Sequence, residues 1–269
     1  MKVSIIIPIY LANESLVQMT SDLILKSLLV NFNREDVEVL LIDDYSPLEE
    51  ACSRLIENFK EIKNLKVIKN TINKGFGESV NIGVNSSEGK YVLVCNNDIY
   101  LPKKSIDRLI EYFDKYKLGM IGPVLSNAHG YKVQEISYSF DKSFEQFSIE
   151  NFEKEKGNVF DVNFLMGSCM LTTNEIWNKA GGINKLFGKG YVEEVDLQVR
   201  IRKLGYKLGI AKDTFVYHSS KSPSFSINKT YRKFLLSKNS LLFLLRNGLR
   251  ENWLLNYDWH KRTTWSLIK

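Results

Sequence analysis

The sequence predicts an α/β protein with a mostly parallel, doubly wound sheet and a helical C-terminal extension. Two observations carry this. Four apolar runs, "KVSIIIPIY", "VEVLLIDD", "LKVIKN" and "KYVLVCNND", are rich in β-branched residues, as expected of strands buried on both faces. Segments with helical spacing separate them, and strands that alternate with helices build a parallel sheet. A third observation locates function. Polar clusters sit at the ends of these runs: Asp43-Asp44, the stretch from Asn73, and Asn96 to Asp98. Parallel sheets bind ligands at the carboxyl ends of their strands.

The elements follow in order. After the first strand, residues 14–31 read as a helix, and a second helix spans 47–60. "GFGESVNIGVNSS" takes helical spacing after a glycine turn and closes at Gly89. A helix over 103–116 and a short strand near 119–125 complete the regular part. Residues 130–160 are polar and aromatic without a period, and read as strands and loops covering one side. "NFLMGSCMLTTNEIWNKAGGI" reads as strand, turn and helix. "EEVDLQVRIRKLGYKLGIA" reads as an amphipathic helix stopped at Gly205, then a strand. Residues 229–256 are helical, with Leu and Phe dense over 234–245.

Composition narrows the class. Of the 269 residues, 44% are hydrophobic and 25% charged, as in an ordinary globular protein. Three separated cysteines without CxxC spacing point to a reduced, cytosolic chain. No leader pattern and no run of 18 apolar residues is present, so a membrane span is not expected. Net charge is +6, but residues 221–269 hold ten Lys/Arg against two acids, together with Trp253, Trp259 and Trp265. That mixture fits an amphipathic segment on an anionic membrane, or a helix packed on the main domain. No nucleic-acid module is present, and no nucleic-acid partner is expected.

The motifs admit structural and functional readings. GxGxxG does not follow the first strand, "GFGESV" lacks its third glycine, and no GxxxxGK[ST] occurs, so phosphate-loop chemistry is disfavoured. Asp43 or Asp44 either caps the following helix, with Ser46 also available, or accepts hydrogen bonds from a base or ribose. Asn96-Asn97-Asp98 is a turn signal, yet the run stays apolar through "IYLP". A single carboxylate at a strand end can bind Mg2+ or Mn2+ if a diphosphate supplies further oxygens. Glu193, Glu194 and Asp196 complement a helix dipole, or, beside the glycine-rich 181–190 loop, present a general base into a cleft. His218 alone is more often structural than a ligand.

Taken in order, "SIIIPIY", "LLIDDYSP", "NKGFGESVNIGVNSSEGKYVLVCNND", "FLMGSCML", "AGGINKLFGKGYVEEVDLQVRIRKLGYK" and a later "YH" resemble glycosyltransferase family 2 over residues 3–220. The resemblance implies a Rossmann-like GT-A fold over 1–220, with a nucleotide-sugar half (1–125), an acceptor half (126–220) and the basic extension 221–269. It assigns Pro8, Tyr10, Glu14, Asp43, Asp44, Asn73, Lys74, Gly75, Asn96 and Asn97 to the nucleotide. Asp98 and His218 would hold Mg2+ or Mn2+, Asp98 as the one acid left of a DxD-type motif. Glu194 would be the general base, standing where the family commonly has Asp. Gly167, Ser168, Glu193 and Asp196 would face sugar or acceptor.

What the resemblance implies is an inverting transfer of a hexose or deoxyhexose from a UDP- or dTDP-type sugar to a glycan or lipid-linked glycan. It would serve bacterial cell-surface polysaccharide synthesis, in the cytoplasm or at the inner face of the membrane. A catalytically silent nucleotide-sugar-binding or scaffold protein of the same fold is the rival reading. A nucleotidyltransferase would want a Gly-rich basic loop where "PIYLANES" stands.

Overall fold

The structure is a computed structural model that describes residues 2–128, 131–219, 229–247 and 266–268. Its first half is built from β1 (Val3–Ile9), α1 (Glu14–Thr20) and α2 (Lys26–Asn31), β2 (Val37–Asp43), α3 (Glu49–Phe59), β3 (Leu65–Lys69), α4 (Phe76–Asn85) and β4 (Tyr91–Cys95). Then come β5 (Ile99–Tyr100), α5 (Ser105–Lys115), β6 (Met120–Leu125), α6 (Phe144–Glu155), β7 (Val159–Val162), β8 (Cys169–Thr173) and α7 (Asn174–Ala180). The last elements are α8 (Glu193–Lys203), β9 (Leu208–His218), α9 (Lys229–Asn247) and β10 (Ser266–Leu267).

The sheet runs β10-β7-β9-β6-β8-β4-β1-β2-β3, with β5 off this path on β9. β3, β2, β1 and β4 are parallel neighbours, and so are β6 and β9. β8 lies antiparallel between β4 and β6. β1, β2 and β4 are apolar on both faces because α1 to α4 cover them, and nearly all their side chains lie in one core. The chain leaves β1 for β2 and β3 on one side and β4 on the other. That reversal of strand order opens a crevice at the strands' carboxyl ends.

Two details differ from the sequence reading. The helix expected over 14–31 is interrupted by a π-helical turn, Ser21–Leu25. Residues 130–160 contain a full helix, α6, capped by Ser143 Oγ, which accepts from Gln146 N at 3.2 Å. Its period is obscured because Ile149 stays exposed while the polar Ser148 and Asn151 are buried. α9 is helical as expected as far as Asn247; the rest of the expected helix, with Trp253, and the later Trp259 and Trp265 lie outside the described residues.

α9 packs on the main domain. Phe243 is buried in a cluster with Phe164, Phe187, Val192, Val195 and Val199. β10 returns to the sheet edge, pairing antiparallel with β7. Among the described residues, no helix is long and apolar enough to cross a membrane.

Candidate active site

β2 delivers Asp43 and Asp44 to the crevice, both buried. Asp43 Oδ1 accepts from Ser46 N at 3.0 Å and Oδ2 from the Cys52 thiol at 3.4 Å. This closes the turn before α3 and is not a helix cap, since the cap residue is Leu48 and no side chain caps that helix. Asp44 accepts from Lys74 N and Gly75 N at 2.8 Å each and from Asn70 Nδ2 at 2.9 Å. A carboxylate has about four acceptor positions, so Asp44 is largely spent on shaping the 70–75 turn. Asn73 joins that turn through Asp44 O at 3.3 Å. Gly75 has φ +89°, and a Cβ there would lie 2.6 Å from Lys189 Cα, so only glycine lets the 185–191 loop close on the turn.

β4 ends at Cys95, and Asn96 N donates to Ser168 O at 2.9 Å. Asn97 is turned away from the crevice, donating to Thr20 Oγ1 of α1 at 2.8 Å. Asp98 has no solvent exposure, and neither of its oxygens accepts a hydrogen bond from a described residue. The short ladder of β5 on β9 pairs Ile99 with His218. It brings His218 Nε2 to 3.5 Å from Asp98 Oδ1. His218 Nδ1 lies 2.7 Å from Asn127 O, which orients the ring. Burial pulls the imidazole pKa down, but the Asp98 carboxylate and the Asn127 carbonyl outweigh it and leave it raised.

These two groups fit a divalent cation. Cis ligands on an octahedral ion at about 2.1 Å stand about 3 Å apart, close to the observed spacing. Among the described residues no cluster of three or more His, Cys, Asp or Glu forms a metal cage, so further oxygens would come from a ligand.

Opposite, Glu193 and Glu194 open α8. Glu193 is buried, and its Oε2 accepts no hydrogen bond from a described residue. Desolvation and the Glu194 charge push its pKa well above the glutamate range. Glu194 is half-buried, and desolvation raises its pKa too. A Cβ on Gly167 would sit 3.2 Å from Glu194 Cγ, so the glycine makes room for the carboxylate stem. The buried Ser168 hydroxyl beside it also lacks a hydrogen-bond partner among the described residues.

α8 begins under strain. Tyr191 and Val192 both take left-handed backbone, φ +73° and +75°. Such conformations cost roughly 1–3 kcal/mol each and persist only where the surroundings impose them.

Thus the fold gathers residues 73–75, 96, 98, 167–168, 193–194 and 218, while Pro8 in β1 and Tyr10 just after it lie half-exposed at the same end of the sheet. Besides Asn97, two predicted residues stand apart. Glu14 is exposed on α1, 3.4 Å from Arg54. Asp196 is buried and held by Arg200 at 2.8 Å, Arg246 at 3.3 Å and Asn247 at 2.9 Å, which tie α8 to α9. It faces protein rather than the crevice.

Two residues not singled out from the sequence belong here. Tyr131 has its pKa pushed well up by burial and then by the Glu194 and Glu193 charges, which places it by that pair. Asn239 of α9 bonds to the 185–191 loop. Neither sits in a motif: Tyr131 falls in the aperiodic 130–160 stretch, and Asn239 is one polar residue in a helix marked by its Leu and Phe.

Comparisons with known proteins agree with this fold. The chain is 22% identical over 229 residues to the low-salt glycan biosynthesis hexosyltransferase Agl10 of Haloferax volcanii, covering 81% of this chain and 74% of that protein. It is 26% identical over 117 residues to the poly(ribitol-phosphate) beta-N-acetylglucosaminyltransferase TarS of Staphylococcus aureus, 43% of this chain but only 19% of that enzyme. Among solved structures it resembles S. aureus TarS 1–349 (TM-score 0.59, 16% identity, 96% of this chain and 75% of that one). It also resembles the mannosyltransferase PcManGT of Pyrobaculum calidifontis in complex with GDP-Man and Mn2+ (TM-score 0.63, 14% identity, 96% and 71%). The fold is therefore the expected GT-A arrangement. The model of "Glycosyl transferase family 2" matches residues 4–178, well over half of the sequence, and the chain belongs to that family.

Proposed function

We propose that this glycosyltransferase moves a hexose or deoxyhexose, with inversion, from a UDP- or dTDP-type sugar to a hydroxyl of a glycan or lipid-linked glycan in cell-surface polysaccharide synthesis. One observation carries the reading: the buried Asp98 carboxylate, which accepts no hydrogen bond from a described residue, stands 3.5 Å from His218 at the carboxyl end of the sheet. Such a group is costly unless a cation or ligand completes it. The solved relatives support this, since PcManGT was captured with GDP-Man and Mn2+, GalNAc-T7 with UDP, GalNAc and Mn2+, and TarS with UDP-GlcNAc.

Asp98 and His218 are the residues that would hold Mg2+ or Mn2+. When bound, the cation would supply positive charge against the diphosphate leaving group. The 73–75 turn and Asn96 would line the nucleotide and its phosphates. Ser168 Oγ and Glu193, each with an unfilled hydrogen-bonding position, would bind hydroxyls of the sugar or acceptor. Glu194, made more basic by burial, would take the proton from the acceptor hydroxyl as it attacks the anomeric carbon. The 181–192 loop, closed on Gly75, would exclude water from that centre.

The lipid-linked acceptor and peripheral membrane seat draw support from α9. Its outer side exposes Tyr231, Phe234, Leu241 and Leu245 with Lys238 among them at helical spacing. Apolar and basic residues sharing a helix face suit an anionic surface. Flotation with anionic and with zwitterionic vesicles tests it; equal recovery with both would remove the membrane from the proposal.

The direct test of the chemistry is Glu194→Gln. Transfer should fall by about 10²–10⁴-fold, the usual worth of a general base, while Mn2+-dependent nucleotide binding persists in calorimetry. Near-normal transfer would overturn the assignment.

A further inference from the structure

We propose that Asn239, on α9, is a positioning residue for the Glu193–Glu194 pair. This rests on the reading of that pair as catalytic.

Asn239 is fully buried. Its amide nitrogen donates to the carbonyls of Phe187 at 2.8 Å, Gly190 at 2.8 Å and Tyr191 at 2.9 Å. Those carbonyls belong to the loop that runs directly into α8. The loop's first turn is held by backbone bonds, Phe187 N to Asn184 O and Gly188 N to Lys185 O. Its end runs through left-handed backbone at Gly188, Gly190, Tyr191 and Val192, φ +73°, +135°, +73° and +75°. Carbonyls along such a path point outward from the chain and need a donor from elsewhere. Asn239 supplies one shared NH2 group to them.

The chemistry fixes the amide's orientation. Three converging carbonyl oxygens select NH2, because an amide oxygen placed there would meet like partial charge. Aspartate, with the same shape, would put acceptors against acceptors.

The consequence for the reaction is geometric. Val192, two residues after Gly190, is the residue from which α8 starts, and Glu193 and Glu194 follow immediately. Phe187 packs in the same cluster as Phe243 of α9. The base of the loop is pinned separately by Asn81 of α4, which donates to Ile183 O at 2.6 Å and accepts from Ile183 N at 2.9 Å. The loop is thus tied at its start by the sheet domain and at its end by α9. The second tie is the one that meets the turn leading into the two glutamates.

The test compares Asn239→Ala and Asn239→Asp with Asn151→Ala. Asn151 is a similarly buried amide that bonds to Lys212 O at 2.9 Å on α6, away from the loop. Turnover is read as nucleoside-diphosphate release, with Mn2+, from whichever of UDP-glucose, UDP-N-acetylglucosamine, dTDP-rhamnose and GDP-mannose the wild-type protein uses fastest. Hydrogen exchange of residues 187–194 is read on the protein alone.

Displacing a catalytic group by about 1 Å costs on the order of 10²-fold. We expect kcat to fall about 10-fold in Asn239→Ala and about 100-fold in Asn239→Asp, with faster exchange across 187–194. Calorimetric UDP affinity should stay within about 3-fold, because uniform binding is untouched. Asn151→Ala should lose thermal stability without losing kcat. If the aspartate variant is insoluble, Asn239→Ser, which keeps one donor, takes its place and should fall near the alanine variant.

Folded Asn239 variants with kcat within about 2-fold of wild type would overturn the proposal. So would an equal kcat loss in Asn151→Ala. Glu194→Gln separates the two levels. If Glu194→Gln is inactive and Asn239 variants are normal, the positioning role alone fails; if Glu194→Gln is fully active, the catalytic reading falls and the positioning role with it.

Discussion

Replacing Asp98 with asparagine should stabilise the cation-free protein while abolishing its response to Mn2+. The side chain is fully buried, and neither oxygen accepts a hydrogen bond from a described residue. One buried acceptor left without a donor costs about 1–3 kcal/mol, and His218 at 3.5 Å offsets part of that. Asparagine keeps the shape and removes the charge, so the net gain should be about 1–2 kcal/mol. At about 2.1 cal/mol/K per residue, this 269-residue chain unfolds with an entropy near 0.56 kcal/mol/K. The gain then reads as about 2–4 °C in Tm in the presence of chelator. Wild type should instead gain about 2.7 kcal/mol, or about 5 °C, from Mn2+ plus UDP at 100 times Kd, and the variant close to nothing. Thermal unfolding with chelator and with Mn2+/UDP measures both arms. A variant less stable than wild type in chelator, or one that keeps the Mn2+/UDP shift, refutes the reasoning.

Two pH effects follow from the buried glutamates. Desolvation raises both Glu193 and Glu194, so the acid limb of kcat/KM should lie above the ordinary glutamate value of about 4.3, and activity should fall as pH drops through it. A limb at or below about 4.3 in the pH–rate profile would contradict this. Glu38 behaves oppositely: burial raises it, but the Ser4 hydroxyl, the Glu88 N–H and Lys66 outweigh burial and hold it lowered. A lowered folded pKa gives stability above the unfolded value that disappears as pH falls through the folded one. Glu38→Gln should therefore destabilise at pH 7 and cost progressively less below pH about 4.3, as read by urea unfolding.

Legibility from the sequence followed the physics of burial. β1, β2 and β4 are covered on both faces, so their apolar runs announce them. Asp98 and His218 were readable as separate motif positions, yet their meeting depends on β5 pairing with β9 across more than 100 residues, which no local pattern encodes. α6 was missed because its exposed Ile149 and buried Asn151 break the helical period. Asp196 lies one turn from the crevice in sequence, but its partners come from α9, so adjacency misplaced it. Asp44 was legible as an acid at a strand end but not as the organiser of the 70–75 turn, because two of its donors are backbone groups without side-chain identity.

The return of the chain to β7 changes what the C-terminal region is in mechanical terms. Ile268 N bonds to Val159 O at 2.8 Å, so the sequence after Asn247 departs from one anchored point and ends at another. Both of those points are held on the domain. Joining two fixed points costs entropy only logarithmically in the number of residues between them, so insertions between Asn247 and Ser266 should be tolerated. Cutting it off is a different perturbation: it strips a neighbour from the β7 edge and leaves unpaired backbone there. Deleting residues 229–269 would also uncover Phe164 and Phe187, which pack with Phe243. The membrane question therefore belongs to point changes on the outer stripe, at Phe234, Leu241 and Leu245, which leave both anchors in place.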